Sequence, residues 1–368
     1  MKLKKLFAGI LAVAMMATMA APAFATTGVV ETYSTGTNTI TVDDNREFTI
    51  KKSFTANENG TAPAEDFELT AEKVSATNTG ITDFTTNASD YNLTIGKATK
   101  AADGSYTGFK VTLPAFEKPG VFKYKLSETN NHTAGITYDS SDYYLTVYVT
   151  QKNRATTTTT GNDLKYSVRL DRGQEGAENY EKKVDTVNNS YTAEPLTITK
   201  TVNGNMGDRT QPFNFKVTFT APDGKNVKSA ITVAGTHGTP EIEGNGATLA
   251  NNTLTFNENS TSAVVKFTLT HGQTITFTNL PEGVSYKVEE LEVPTGYKTY
   301  INGSTDENTS TESTISNTAV TIDYENVNGD TTIDTGVILD NAPYIALMMV
   351  VVAGAAVMII KKRRHFED

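Results

Sequence analysis

From residue 48 to residue 328 the chain alternates apolar and polar positions with a period of two, broken by Gly, Asn, Asp and Pro. The pattern is plain at Phe48-Thr-Ile50, Phe109-Lys-Val111-Thr-Leu113, Phe122-Lys-Tyr124-Lys-Leu126, Tyr144–Val149 and Leu164–Leu170. It returns at Leu196-Thr-Ile198, Phe213-Asn-Phe215-Lys-Val217-Thr-Phe219, Val264–Leu269 and Ile275-Thr-Phe277. A strand places successive side chains on opposite faces, so each run predicts a strand with one buried face. No stretch in this region sustains a helical period. Many short strands separated by turn residues predict an all-β fold of two tandem immunoglobulin-like β-sandwich domains. The expected boundary is Thr192-Ala-Glu-Pro195, a short connection stiffened by Pro195, with residues 26–191 in one sandwich and 192–328 in the other. Thr156–Thr160 is expected at a hairpin tip.

The two ends follow different rules. Residues 1–25 have Lys2, Lys4 and Lys5, then an apolar stretch, then Ala23-Phe24-Ala25, which reads as a cleaved signal peptide. Residues 342–360 form an apolar run long enough to span a bilayer, and Lys361, Lys362, Arg363 and Arg364 open the basic tail 361–368. A permanent single-pass anchor is one reading. Thr335-Gly336, placed just before that run, gives another: residues 329–368 resemble the cell-wall sorting signal that sortases cleave between Thr and Gly. The pentapeptide here, Thr332-Ile-Asp-Thr-Gly336, lacks the Leu and Pro of the usual signal. Val293-Pro294-Thr295-Gly296 fits the pentapeptide better but lies inside a strand-rich region and reads as a loop.

Composition narrows the function. The 368 residues carry a net charge of −10, which argues against nucleic acid, since phosphate binding needs clustered Lys and Arg. No cysteine is present, so any covalent staple in this exported chain comes from other side chains. The four histidines, at 132, 237, 271 and 365, are scattered, and no nucleophile-elbow motif occurs. A surface hydrolase is therefore disfavoured, and the expectation is a protein without enzyme activity, cofactor or metal.

Each half repeats one constellation. Lys200 shares the apolar face of Leu196, Ile198 and Val202, while Asn326 shares that of Ile322 and Tyr324. Lys52 lies on the face of Ile50 and Phe54, with Lys51 outward, and Asn189 lies with Val187 and Tyr191. Glu128 and Glu290 continue the inward series of middle strands. Burial lowers an amine pKa and raises that of a carboxyl, giving a neutral nucleophile and a neutral hydrogen-bond donor. Attack of such an amine on the Asn carboxamide, with loss of ammonia, makes a Lys–Asn isopeptide bond. The competing reading is an ion pair with Asn as hydrogen-bond partner; two triads in one chain order favour the cross-link.

Leu280-Pro-Glu-Gly-Val-Ser-Tyr-Lys-Val-Glu-Glu290, with Pro294-Thr-Gly-Tyr297, resembles the signature of Cna-B domains of collagen adhesins. Ala62-Pro-Ala-Glu-Asp-Phe67, the Lys52 strand and the Val187-x-Asn189-x-Tyr191 ending resemble the first domain of two-domain streptococcal shaft pilins. The resemblance implies bonds Lys52–Asn189 and Lys200–Asn326, assisted by Glu128 and Glu290. It also implies assembly into a cell-wall-anchored pilus by sortases that join Thr335 to an exposed lysine of a neighbour. Implied partners are pilus-forming and housekeeping sortases, other copies of the chain, minor pilins and peptidoglycan, with any host ligand left open. Lys182 and Lys183 both fit the acceptor; alternation counted back from Asn189 turns Lys183 inward and favours Lys182. A monomeric wall-anchored adhesin or minor pilin is the alternative.

Overall fold

The computed structural model describes residues 40–77, 84, 91–151 and 164–329. The expected signal peptide, the Thr156–Thr160 tract and the sorting segment with Thr335 and Gly336 lie outside these residues. The first part of the described chain forms β1 (Glu47–Ala56), β2 (Leu69–Thr77), β3 (Thr94–Ile95), β4 (Phe109–Thr112) and β5 (Gly120–Glu128). It continues with β6 (Ile136–Thr137), β7 (Tyr143–Gln151), β8 (Leu164–Arg172) and β9 (Thr186–Tyr191). The second part forms β10 (Ala193–Asn203), β11 (Phe213–Thr220), β12 (Ile231–Thr236), β13 (Glu241–Glu243), β14 (Ala247–Ala250) and β15 (Thr253–Phe256). It closes with β16 (Ser262–Leu269), β17 (Thr274–Pro281), β18 (Ser285–Leu291), β19 (Tyr297–Ile301), β20 (Ser310–Thr314) and β21 (Val320–Asn328).

The first sandwich packs sheet β3-β4-β1-β9-β6 against β2-β5-β7-β8. The second packs β14-β15-β12-β17-β10-β21-β19 against β13-β16-β11-β18-β20. The alternation of the sequence is the reason each has one core: Phe48 and Ile50 face Phe122, Tyr124 and Leu126 in the first. Ile198 and Ile322 face Phe215, Val217 and Phe267 in the second. Most neighbours are antiparallel, but in each sandwich the first strand lies parallel to the last, β1 beside β9 and β10 beside β21. Residues more than a hundred positions apart thereby become neighbours in one sheet.

Only Thr192 separates β9 from β10, and Pro195 lies within β10 at a bulge between Glu194 and Leu196, where its missing N–H is tolerated. The junction is held less by that proline than by polar contacts. Buried Glu194 accepts hydrogen bonds from Asn57 Nδ2 at 2.8 Å and Asn59 Nδ2 at 2.7 Å. Tyr191 and Ser229 share a hydroxyl contact at 2.6 Å, and Thr61 N–H donates to Asn279 Oδ1 at 2.9 Å. Glu65 accepts from Asn131 Nδ2, Thr133 and Tyr138, and Lys228 of the second sandwich lies 3.4 Å from it. Val293–Gly296 falls in the connection between β18 and β19, as its reading as a loop requires.

Candidate functional site

In the first sandwich β1 carries Lys52 and β9 carries Asn189 in adjacent parallel strands. Lys52 pairs opposite Val187, so Asn189 is two residues further along on the same inward face. In the second, Lys200 pairs opposite Tyr324, and Asn326 is again two residues further along. This shared offset makes Lys and Asn diagonal same-face neighbours, within reach of a long side chain. The acid comes from the facing sheet: Glu128 ends β5, and Glu290 lies on β18 opposite Phe215 of β11.

Lys52 Nζ donates to Glu128 Oε1 at 2.5 Å, with both side chains inaccessible to solvent. The Phe67 ring lies 4.4 Å from the amine. Burial pulls the Lys52 amine below its ordinary pKa against the opposing pull of Glu128, and burial pushes the Glu128 carboxyl up. Both members of the pair are thus driven toward neutrality. The carboxamide of buried Asn189 accepts the Asp139 N–H through Oδ1 at 2.9 Å, while Nδ2 faces Glu128 without a hydrogen bond of ordinary geometry.

The second site differs in detail. Lys200 Nζ lies 3.4 Å from Glu290 Oε1, again with both side chains fully buried, and 4.5 Å from the Phe213 ring. Burial lowers its pKa from 10.5 to about 8. Asn326 Nδ2 donates to Glu290 Oε1 at 2.7 Å, and Thr299 donates to Oε2 at 2.5 Å. Lys200 Nζ and Asn326 Oδ1 have no hydrogen-bond partner. A buried polar atom without a partner costs roughly 1–3 kcal/mol. Here the orphaned atoms belong to the amine and the carboxamide that a Lys–Asn bond would join.

The structure therefore brings together both sets of residues that alternation selected. It also shows groups that alternation missed: Asp139, the Phe67 and Phe213 rings over the amines, and Thr299. Asp139 lies in the turn-like run Asp139-Ser-Ser-Asp142, whose only sequence signal is that of a connection. Lys51 is outward and ion-pairs with Asp185 at 2.7 Å, as expected of its face.

Lys182 is exposed, 3.4 Å from Glu175 and 5.5 Å from the Tyr180 ring centroid. Lys183 is half-buried with φ of 57°, and its N–H donates to Asp171 Oδ1 at 3.0 Å. The outward position of Lys182 stands, although not through alternation. Strand β9 begins only at Thr186, and Val184 and Asp185 are buried in succession.

The fold and these sites define a tandem β-sandwich protein with a buried Lys–Glu–Asn triad between the first and last strands of each sandwich. Residues 48–192 match the family described as Spy0128-like isopeptide containing domain, and residues 194–328 match one described only as a domain of unknown function, DUF7601. Over 343 residues the chain is 29% identical to a pilin of Streptococcus pyogenes serotype M1, covering 84% of this chain and 89% of the relative. It is a relative of that pilin in sequence. Among solved structures, the major pilin of S. pyogenes superposes with a TM-score of 0.44 at 23% identity, covering 77% of this chain and 99% of that one. A pilus-presented adhesin, Spy0125, superposes with a TM-score of 0.29 at 21% identity, covering 52% of this chain and 37% of that one.

Proposed function

We propose that this chain is the shaft subunit of a covalently polymerised surface pilus, each sandwich closed by its own Lys–Asn isopeptide bond. The chain is a structural pilus subunit, and its surface location and association with copies of itself follow from that role. Its pilin relative points to a structural rather than an enzymatic role, and the chemistry proposed for the triads is a single turnover on the chain's own side chains. The observation that carries the reading is the repeated triad, with the same two-residue offset between Lys and Asn on parallel first and last strands.

The chemistry balances on the residues present. The neutral Lys Nζ attacks the Asn Cγ, and the Nζ–Cγ bond forms as the Cγ–Nδ2 bond breaks. Glu relays a proton from the amine to the departing Nδ2, which leaves as ammonia. Sortase cleavage after Thr335, transfer of its carboxyl to Lys182 of a neighbour, and final attachment to peptidoglycan complete the proposal. Minor pilins would share the same assembly route. Intact-protein mass spectrometry of residues 26–330 tests the cross-links: the expected mass is two ammonia losses below that of the sequence, and the full sequence mass would sink them. An immunoblot of cell-wall extract tests the assembly, a ladder being expected of a shaft and a single band of a monomeric adhesin.

A further inference from the structure

Both triads turn the carboxamide Nδ2 toward the acid, but they treat Oδ1 differently. Asn326 turns Nδ2 to Glu290 and leaves Oδ1 without a donor. Asn189 turns Oδ1 to the peptide N–H of Asp139 at 2.9 Å, an N–H that also lies 3.3 Å from Glu128 Oε2. A flipped Asn189 would set two N–H donors against each other, so the backbone fixes which atom faces Asp139. We infer that the Asp139 N–H is an oxyanion donor for closure of the Lys52–Asn189 bond, and that the Asp139 carboxylate is the positioning group that aims it.

This inference rests on the isopeptide reading above. When Lys52 Nζ adds to Cγ of Asn189, the carbonyl electron pair moves onto Oδ1, and a donor already in place stabilises that charge without reorganisation. The pair returns as Cγ–Nδ2 breaks, and Glu128 supplies the proton with which ammonia leaves. Asn189 also lines a groove of about 350 Å³, with Ser53, Asp139, Ser141, Arg172 and Asn188 among its walls, which gives the ammonia a route to water.

The turn that carries the N–H is pinned through the side chain of the same residue. Asp139 is buried, and its carboxylate accepts from Ser141 N–H at 2.9 Å, Tyr143 OH at 2.6 Å and Asn188 N–H at 3.4 Å. Arg172 lies 3.5 Å away. Anchors on β7, β8 and β9 thus converge on one side chain and set the direction of its own peptide N–H.

The test follows each bond separately, by peptide mapping and mass spectrometry of the mature ectodomain sampled over time after synthesis. In Asp139→Ala, closure of Lys52–Asn189 is expected to slow on the order of 10- to 100-fold, short of the 10²- to 10³-fold typical of losing such a donor outright. Closure of Lys200–Asn326 in the same molecules should be unchanged. Asp139→Asn, which keeps one acceptor oxygen, should restore part of the rate. Val147→Ala, which loosens the same core without touching the turn, should leave the rate alone.

Rapid closure in Asp139→Ala, or equal slowing in Val147→Ala, would overturn the inference. Absence of the Lys52–Asn189 bond from the unmodified protein would instead overturn the isopeptide reading. If Asp139→Ala does not fold, Tyr143→Phe removes one anchor and should slow the same bond; an unchanged rate there would equally overturn the inference.

Discussion

Asn326→Ala puts the largest single load on the proposed cross-link. A Lys200–Asn326 bond closes a loop of roughly 130 residues, and the chain-entropy relation for such a closure gives about 5 kcal/mol at 25 °C. In the cross-linked protein Nδ2 has already left as ammonia, so what the substitution adds is a buried, unlinked Lys200 amine beside Glu290, which keeps Thr299 as its donor. That adds about 1–3 kcal/mol. The sum is comparable to the entire stability of many domains, about 5–15 kcal/mol. For a sandwich of this size each kcal/mol moves Tm by roughly 3–5 °C, so the loop contribution alone predicts a fall of roughly 15–25 °C. Differential scanning calorimetry of the ectodomain should resolve it as a drop in the transition of the second sandwich, with the first sandwich little changed. Asn189→Ala should do the converse with nearly the same magnitude, because loop entropy grows only with the logarithm of length. A shift below about 5 °C, in protein whose mass shows one bond lost, would refute the chain-entropy reasoning. Equal displacement of both transitions would refute the assignment of one bond to each sandwich.

Other outcomes follow from the same geometry. Glu128→Ala and Glu290→Ala should each leave one ammonia unreleased in the intact mass, since amine–amide exchange without the acid is slow. In Asn326→Ala the buried Lys200 amine, with its pKa near 8 when folded and 10.5 when unfolded, binds its proton more weakly in the folded state. Stability of the second sandwich should therefore rise as pH climbs from about 8 toward 10.5 and be flat below that window, as urea titrations at several pH values would show. Under force applied between Lys182 and the C-terminal end, the second sandwich of the unmodified protein should not extend, because the load would pass through the proposed Lys200–Asn326 link between β10 and β21. Lys200→Ala should extend at ordinary sandwich forces in single-molecule pulling, whereas Lys52→Ala should chiefly cost thermal and proteolytic stability. Extension of the unmodified second sandwich would show the link or the load path to be wrong.

The alternation of apolar and polar residues was enough to read the all-β fold, the inward faces of Lys52, Lys200, Asn189 and Asn326, and the presence of an acid in each half. That information is local: a strand's two faces are written in its own residues, and a charged residue on an apolar face stands out against its neighbours. What the tertiary structure decided is everything that depends on which strands meet. The parallel pairing of β1 with β9 and of β10 with β21, with its common two-residue offset, joins segments more than a hundred residues apart, and no periodicity within either strand encodes its partner. The same holds for Asp139, which reaches Asn189 from a connection, and for Phe67 and Phe213, whose rings cover the amines from outside the triads. Near Lys182 the local rule gave out, because alternation carries orientation only as far as the strand extends, and β9 starts at Thr186. Side-chain direction is a property of the strand and can be read from sequence; pairing, register and the aim of a backbone N–H are properties of the packed sheet, set by the burial of both faces at once.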